Sequence, residues 1–144
     1  MRAPFQVLVI PFRQRTERPQ FAILKRSDAG YWQFIAGGGE DSETPLEAAQ
    51  RETQEEAGIT GQIMTLDSLA TIPKEGFGGS ELWGQDVYVI PEHYFAIDVG
   101  ESDITLSREH TEVRWVSYEQ ACRLLKWDSN RNGLWELQER LSVK

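Results

Sequence analysis

Three glutamates, Glu52, Glu55 and Glu56, are the side chains in this sequence whose type and spacing could do chemistry. Successive residues of a helix turn by about 100°, so the three carboxylates would share one face. Like charges at these spacings repel, whereas a hard divalent cation such as Mg²⁺ takes carboxylate oxygens and would offset the repulsion. Spacing alone favours a solvated acidic face in which Arg51 pairs with Glu55, so a metal site needs further support.

The residues around these glutamates predict a helix over 45–57. Thr44 provides an N-cap hydroxyl, Pro45 takes the first helical position and Glu47 lies three residues after the cap, while Gly58 provides a C-terminal stop. This helix would hold the carboxylates rigidly. The adjacent face, which we expect to pack against a sheet, consists of Leu46, Ala49, Thr53 and Ala57.

A glycine run, Gly37-Gly38-Gly39, precedes this helix and follows a strand-like segment at 31–36. We predict a flexible loop here, because glycine lets the backbone approach ions or phosphates closely. The run alone is better explained by an ordinary tight turn. It contains neither the P-loop pattern nor the dinucleotide-binding pattern.

The rest of the chain alternates between strand and helix signals. Strands are predicted at 5–13, 20–26, 62–72, 86–99 and 112–116. Two further helices are predicted at 117–126 and 129–142. Pro91 lies within a predicted strand and is therefore expected at an edge or a bulge. The glycine-rich stretch 73–84 is predicted to be a mobile loop over a cleft. A chain of 144 residues with these elements indicates one layered domain of mixed strands and helices.

Residues 37–59, GGGEDSETPLEAAQRETQEEAGI, resemble the Nudix box, G-x5-E-x7-R-E-U-x-E-E-x-G-U. The fixed positions of that motif are held by Gly37, Glu43, Arg51, Glu52, Glu55, Glu56, Gly58 and Ile59. Thr53 stands where an apolar residue is usual, and its methyl group can still pack on the core side. The chain is therefore identified as a member of the Nudix family.

This resemblance implies an α/β fold, an α/β/α sandwich with a mixed sheet, formed by residues 1–144 as a single domain. It also implies a divalent-metal-dependent enzyme that cuts a diphosphate linkage, with Mg²⁺ as the ion and Mn²⁺ as an alternative. The implied metal ligands are Glu52, Glu55, Glu56 and the backbone carbonyl of Ala36. Gly37, Glu43 and Arg51 would support that site. The general base varies in the family, and the candidates are Glu52, Glu55 and Glu109.

Three segments also resemble the Nudix subgroup of dATP and dihydroneopterin triphosphate pyrophosphohydrolases: residues 31–49, Glu109-His110 before the strand EVRWV, and WDSNR at 127–131. The resemblance implies cleavage of a nucleoside or pterin triphosphate to a monophosphate and pyrophosphate. The implied substrate contacts are Lys25, Arg26, Trp32, Gln33, Asn130 and Arg131. Simpler structural roles remain open for them, such as an exposed strand end at Lys25 and Arg26, core packing of Trp32, and capping of the last helix by Asn130 and Arg131.

Two alternatives stay open at this stage. One is a Nudix hydrolase of nucleotide sugars or dinucleoside polyphosphates. The other is a non-catalytic domain that senses a nucleotide, for which degenerate box carboxylates would be typical; none is missing here. Substrate profiling distinguishes these possibilities.

Charge and composition restrict the partners. The formal net charge of −8 disfavours nucleic acid as a partner, so the expected partner is a small nucleotide-like molecule. No apolar stretch approaches the length of a membrane span, and the N-terminal run at 7–10 is too short for a signal peptide. The single cysteine, Cys122, excludes an internal disulfide, so a reducing, cytoplasmic setting is expected. The sequence leaves the oligomeric state open.

Overall fold

A computed structural model describes residues 1–14, 17–75, 77 and 80–142 of the chain. The strands are β1 Arg2–Arg13, β2 Gln20–Arg26, β3 Trp32–Gln33, β4 Ile35–Glu40, β5 Ile63–Pro73, β6 Val89–Asp98 and β7 His110–Val116. The helices are α1 Pro45–Ala57, α2 Tyr118–Leu124 and α3 Asp128–Ser142, with a short 3-10 helix at Ser80–Trp83. Each predicted strand and helix therefore exists, with ends that differ by up to three residues.

The described strands form one mixed seven-stranded sheet in which β1 is central. β1 pairs with β6 in parallel on one side, and on the other side it pairs antiparallel with β4 and, near its end, with β2. β5 then extends the sheet beyond β6, and β7 pairs with β2. The length of β1 allows it to join these strands, which brings β4 and β6 to opposite edges of one strand.

Helices cover both faces of the sheet, because side chains alternate along each strand. Val7 and Val9 of β1 pack in the cluster under α1, whereas Leu8 and Ile10 pack in the cluster that contains residues of α2 and α3. The result is the expected α/β/α sandwich. None of the helices in the described ranges is both long and apolar enough to cross a membrane.

The prediction for α1 is confirmed because its signals are local. The Thr44 hydroxyl accepts from Glu47 N, the Glu47 carboxylate accepts from Thr44 N, and Gly58 adopts the left-handed conformation that ends the helix. The predicted apolar stripe is correct at Thr53, which is 1% exposed, and wrong at Leu46, which is 40% exposed. Leu46 lies in the first turn, where the helix has not yet met the sheet.

The prediction of a flexible glycine loop at 37–39 is wrong, because all three glycines belong to β4. Gly37 and Gly38 pair with Val7 and Gln6 of β1. None of the three has a positive φ. They are glycines because of close packing, since a β-carbon on Gly39 would overlap the ring of Phe5.

Pro91 lies where β6 changes its pairing. It faces Thr71 of β5, whereas pairing with β1 begins one residue later, at Glu92. One side of the strand is thus unpaired at the proline, as the edge prediction requires.

In the predicted loop 73–84, Gly76, Gly78 and Gly79 lie outside the described residues.

Candidate active site

A cavity of about 650 Å³ opens beside β1. Its lining includes Ala36, Gly37, Gly38 and Glu52 in or next to the box, together with Arg26, Tyr31, Gln33 and Glu109. It also includes Gln6, Leu8, Glu92, Phe77, Trp127, Ser129 and Asn130, among others. The described loop residue Phe77 therefore does reach the cavity. The lining therefore combines the carboxylates of Glu52 and Glu109 with aromatic and apolar side chains such as those of Tyr31, Trp127 and Leu8.

Glu52 lies directly under Gly37. A β-carbon on Gly37 would overlap the Glu52 carboxylate, so the missing side chain is what lets α1 bring this carboxylate to the cavity. Glu52 is 9% exposed. The absence of a side chain at Gly37 therefore leaves space for the Glu52 carboxylate.

Arg51 is the centre of an ion-pair network that fixes the box. Its guanidinium bonds the Glu43 carboxylate at 2.8 and 3.0 Å, Glu52 Oε1 at 2.9 Å and the Gly38 carbonyl at 2.9 Å. It also reaches Glu55 Oε2 at 3.2 Å, the helical pair that spacing alone favours. Hydrogen bonding to the Arg51 guanidinium lowers the pKa of Glu43 and keeps it ionised. Arg51 thus joins β4 to three carboxylates of the box.

Glu56 is the most buried of the box carboxylates, at 2% exposure, and none of the described residues hydrogen-bonds its two oxygens. Burial and the neighbouring carboxylates of Glu52 and Glu109 raise its pKa to about 10. Unpaired buried carboxylate oxygens are costly, and this site contains two such atoms.

His110 completes a cluster with Glu56 and Glu109, in which one ligand atom of each lies within 4.8 Å of the others. Its Nδ1 lies 3.7 Å from Glu56 Oε1, and its Nε2 lies 3.3 Å from the Gln33 amide nitrogen. Burial, followed by the charge of Arg26, lowers the pKa of His110 to about 4, so the ring is neutral at neutral pH. In the sequence, His110 is distinguished only by its place beside Glu109.

The ligand atoms of Glu56, Glu109 and His110 fit a hard divalent cation. Carboxylate oxygens are its preferred ligands, and a neutral imidazole can also ligate a metal. The orphaned oxygens of Glu56 are the observation that supports this fit, because a cation would satisfy them and relieve the repulsion from Glu52 and Glu109. Glu55 differs from these residues, since its side chain is 57% exposed and is held by Arg51.

The sequence-predicted substrate residues separate into two groups. Arg26, Gln33 and Asn130 line the cavity, and the Arg26 guanidinium bonds Asp28 at 2.8 and 3.0 Å. Trp32 packs in the core at 9% exposure, with the Lys25 ammonium 5.9 Å from its ring centre.

Arg131 also lies outside the cavity lining. Its guanidinium donates to the Leu125 carbonyl at 2.6 Å and pairs with Asp128. These contacts hold the start of α3 against the residue that follows α2. The aromatic side chains that line the cavity are Tyr31, Phe77 and Trp127, and the rings of Tyr31 and Trp127 meet edge to face at 5.6 Å. Tyr31 and Trp127 stand in the segments that carry the subgroup resemblance, which is the signal that could have selected them.

An α/β/α sandwich with a cluster of carboxylates beside a cavity can bind a divalent cation and hydrolyse phosphoric anhydride bonds. The chain belongs to the Nudix family, because the NUDIX domain model matches residues 3–136.

Three relatives illustrate this membership. The chain is 28% identical over 135 residues to the dihydroneopterin triphosphate diphosphatase of Escherichia coli K12, covering 91% of this chain and 89% of the relative. It is 34% identical over 124 residues to the asymmetrical bis(5'-nucleosyl)-tetraphosphatase of Sus scrofa, covering 81% and 77%. A solved Listeria monocytogenes protein assigned to the NUDIX hydrolases superposes with a TM-score of 0.87 at 50% identity, covering 96% and 94%.

Proposed function

We propose that residues 1–144 act as a single Nudix domain that cleaves a nucleoside or pterin triphosphate to a monophosphate and pyrophosphate. The observation that carries this proposal is the cavity itself, whose lining brings the carboxylates of Glu52 and Glu109 together with aromatic and apolar side chains. A triphosphate attached to a flat ring combines charge and aromatic surface in the same way. The resemblance to a dihydroneopterin triphosphate diphosphatase supports this substrate class.

In this proposal, Glu52, Glu55, Glu56 and the Ala36 carbonyl hold Mg²⁺, for which Mn²⁺ can substitute. When bound, the ion neutralises phosphate charge and lowers the pKa of the attacking water. Gly37, Glu43 and Arg51 position the carboxylates, as their contacts indicate.

Glu109 is the residue that we propose as general base. It is an exposed carboxylate at the edge of the cavity and lies in the cluster with Glu56, so it can take a proton from water and release it to solvent. Glu52 is the next candidate, because it also lines the cavity, and Glu55 is held away by Arg51.

Substrate phosphates would meet Arg26 and Gln33, which line the cavity together with Glu52. Asn130 would contact another part of the substrate. Two further parts of the fold would support these contacts. On the sheet they are Lys25 of β2 and Trp32 of β3, and at the start of α3 it is Arg131.

Hydrolysis of dinucleoside polyphosphates is a second candidate, favoured by the 34% identity to the Sus scrofa tetraphosphatase. A panel of purified substrates with Mg²⁺ distinguishes the two, with products identified by mass. It should contain dNTPs, dihydroneopterin triphosphate, nucleotide sugars and dinucleoside polyphosphates. We expect pyrophosphate from the triphosphates. Saturable binding without any turnover would instead indicate a nucleotide-sensing domain.

A further inference from the structure

Glu92 of β6 is a buried carboxylate outside the box. It is 4% exposed, lines the cavity and has no part in the proposed hydrolysis. Burial raises its pKa, so the ionised form needs hydrogen-bond donors. Gln6 Nε2 donates to Oε2 at 2.8 Å and the Tyr94 hydroxyl donates to Oε1 at 2.7 Å.

The surroundings of Glu92 hold its carboxylate in one orientation. The Tyr94 ring packs against Gly133 of α3 so closely that a β-carbon at Gly133 would overlap it. Burial and the charge of Glu92 raise the pKa of Tyr94, so its hydroxyl remains a donor. Each carboxylate oxygen can accept more than one hydrogen bond, so both retain acceptor capacity.

Asn130 adds a second acceptor that lines the same cavity. It is 2% exposed, and among the described residues no group donates to its Oδ1. A buried polar atom without a partner is unusual in a folded protein. Glu92 and Asn130 together therefore favour a ligand that presents N–H donors.

The register of the sheet relates Glu92 to the box. Gly38 of β4 pairs with Gln6 of β1, and Gln6 pairs with Glu92 of β6, so the three lie in one row across the sheet. Two interstrand spacings separate the backbones of Gly38 and Glu92, which is about 10 Å. Gly38 follows Gly37, which packs on the Glu52 carboxylate, so one substrate in the cavity can contact both Glu92 and the box. The aromatic side chain of Phe77 and the apolar side chain of Leu8 also line the cavity and provide surface for a ring.

We propose that Glu92 is the specificity-determining residue of this site, and that it binds the 2-amino-4-oxopyrimidine edge that guanine and pterins share. That edge carries a ring N–H beside an amino group, which matches the two oxygens of a carboxylate. Adenine offers its amino group beside a ring nitrogen that is itself an acceptor, so it satisfies only one oxygen. The inference rests on the proposed function and narrows its substrate class.

The sharpest test compares dGTP with dITP, which differs from dGTP only by the absence of the 2-amino group. For the wild-type protein with Mg²⁺ we expect kcat/KM for dGTP to exceed that for dITP and for dATP by roughly 10- to 100-fold, because a site built to bind N–H groups rejects ligands that lack them. In Glu92→Gln the preference for dGTP over dITP should fall towards unity. Dihydroneopterin triphosphate carries the same edge, so its kcat/KM should likewise exceed that for dITP.

Two further variants keep the test sound. Glu119→Gln makes the same chemical change at an exposed position of α2 and should retain the preference for dGTP. Gln6→Leu keeps the Glu92 carboxylate but removes one of its donors, so a smaller loss in the same direction is expected. This second variant decides the question if Glu92→Gln does not fold. An unchanged ratio of dGTP to dITP in the folded Glu92 or Gln6 variant would overturn the proposal.

Binding of the monophosphates separates this inference from the proposed function. Calorimetric titration of the wild-type protein with dGMP, dIMP and dAMP reports on the ring without any hydrolysis, and dGMP should bind more tightly by a similar factor. Selective binding of dGMP with no turnover of any triphosphate would contradict the proposed function and retain the role of Glu92. Turnover of triphosphates with equal binding of the three monophosphates would contradict the role of Glu92 and retain the proposed function.

Discussion

The Glu52 carboxylate occupies the space that a side chain on Gly37 would fill. Gly37→Ala should therefore move Glu52 and lower kcat by about 100-fold, the effect of a misplacement of about 1 Å. Gly38→Ala is the matched comparison, because its added methyl meets only the flexible end of Arg2. Steady-state kinetics of both variants test this, and equal losses would show that Gly37 has no special relation to Glu52.

Glu55→Gln and Glu56→Gln should each lower turnover at least about 100-fold without unfolding the protein, since each removes a charge from the proposed metal site. Circular dichroism and thermal melting report on the fold. Glu119→Gln is again the control on the surface. Normal activity in either purified box variant would refute the metal-site assignment for that residue.

Metal removal should have an effect on stability that depends on pH. The pKa of Glu56 is raised to about 10 from its ordinary value, so its neutral form stabilises the fold below the unfolded pKa of about 4.5. That contribution is lost as the pH rises towards 10. In EDTA the melting temperature should therefore fall between about pH 5 and pH 9, and saturating Mg²⁺ should restore more stability at the upper end.

Glu56→Gln provides the check on this pH effect. The amide does not ionise, so the melting temperature of the metal-free variant should depend less on pH than that of the wild type. A steeper decline in the variant would contradict the assignment of the effect to Glu56.

Glu109→Gln tests the proposed general base. Loss of a general base commonly lowers kcat by 10²- to 10⁴-fold, and we expect a decrease of about that size. The Mg²⁺ affinity should change less in this variant than in Glu56→Gln. An unchanged kcat would transfer the role to Glu52.

Glu136 of α3 supports an irregularity of β5 and gives a prediction on stability alone. Its carboxylate accepts from the backbone N–H groups of Asp67 and Ser68 at 2.7 and 2.6 Å, where the pairing of β5 with β6 shifts register. Burial opposes its ionisation, but hydrogen bonds from the Ser68 hydroxyl, from these N–H groups and from Arg140 lower the pKa of Glu136 to about 2. The contribution of this carboxylate is therefore present above pH 4.5 or so and is lost as the pH falls towards 2.

Glu136→Gln should lower the free energy of unfolding by about 1–3 kcal/mol at pH 7, because charge-assisted hydrogen bonds are lost. Urea denaturation measures this change. Glu139→Gln, an exposed position on the same helix, should have little effect. Equal stabilities of the two variants at pH 7 would contradict the role of Glu136.

Local signals allowed α1 to be predicted to its exact ends, because Thr44, Pro45 and Gly58 act within a few residues of one another. The position of 37–39 depended instead on β1, which lies thirty residues earlier in the chain. Nothing local could show that these glycines form a strand. The same applies to Trp32, whose burial results from packing against distant parts of the chain.

Glu92 shows the same limit at the candidate site. A glutamate between Pro91 and His93 has the appearance of a solvent-facing strand residue. Its burial arises from Gln6 on β1 and Tyr94 packed on α3, which are brought together only by the fold. By contrast, the box carboxylates were predictable because their spacing is a property of one helix.

In the proposed site, the carboxylates that would act in bond cleavage belong to α1, next to β4, whereas the proposed ring contact Glu92 belongs to β6, two strands away in the row formed by Gly38, Gln6 and Glu92. Mutations on β6 can therefore change which molecule is accepted while leaving the machinery that breaks the anhydride intact. In an evolving population, such a layout lets a duplicated gene acquire a new substrate through few substitutions, without passing through an inactive ancestor.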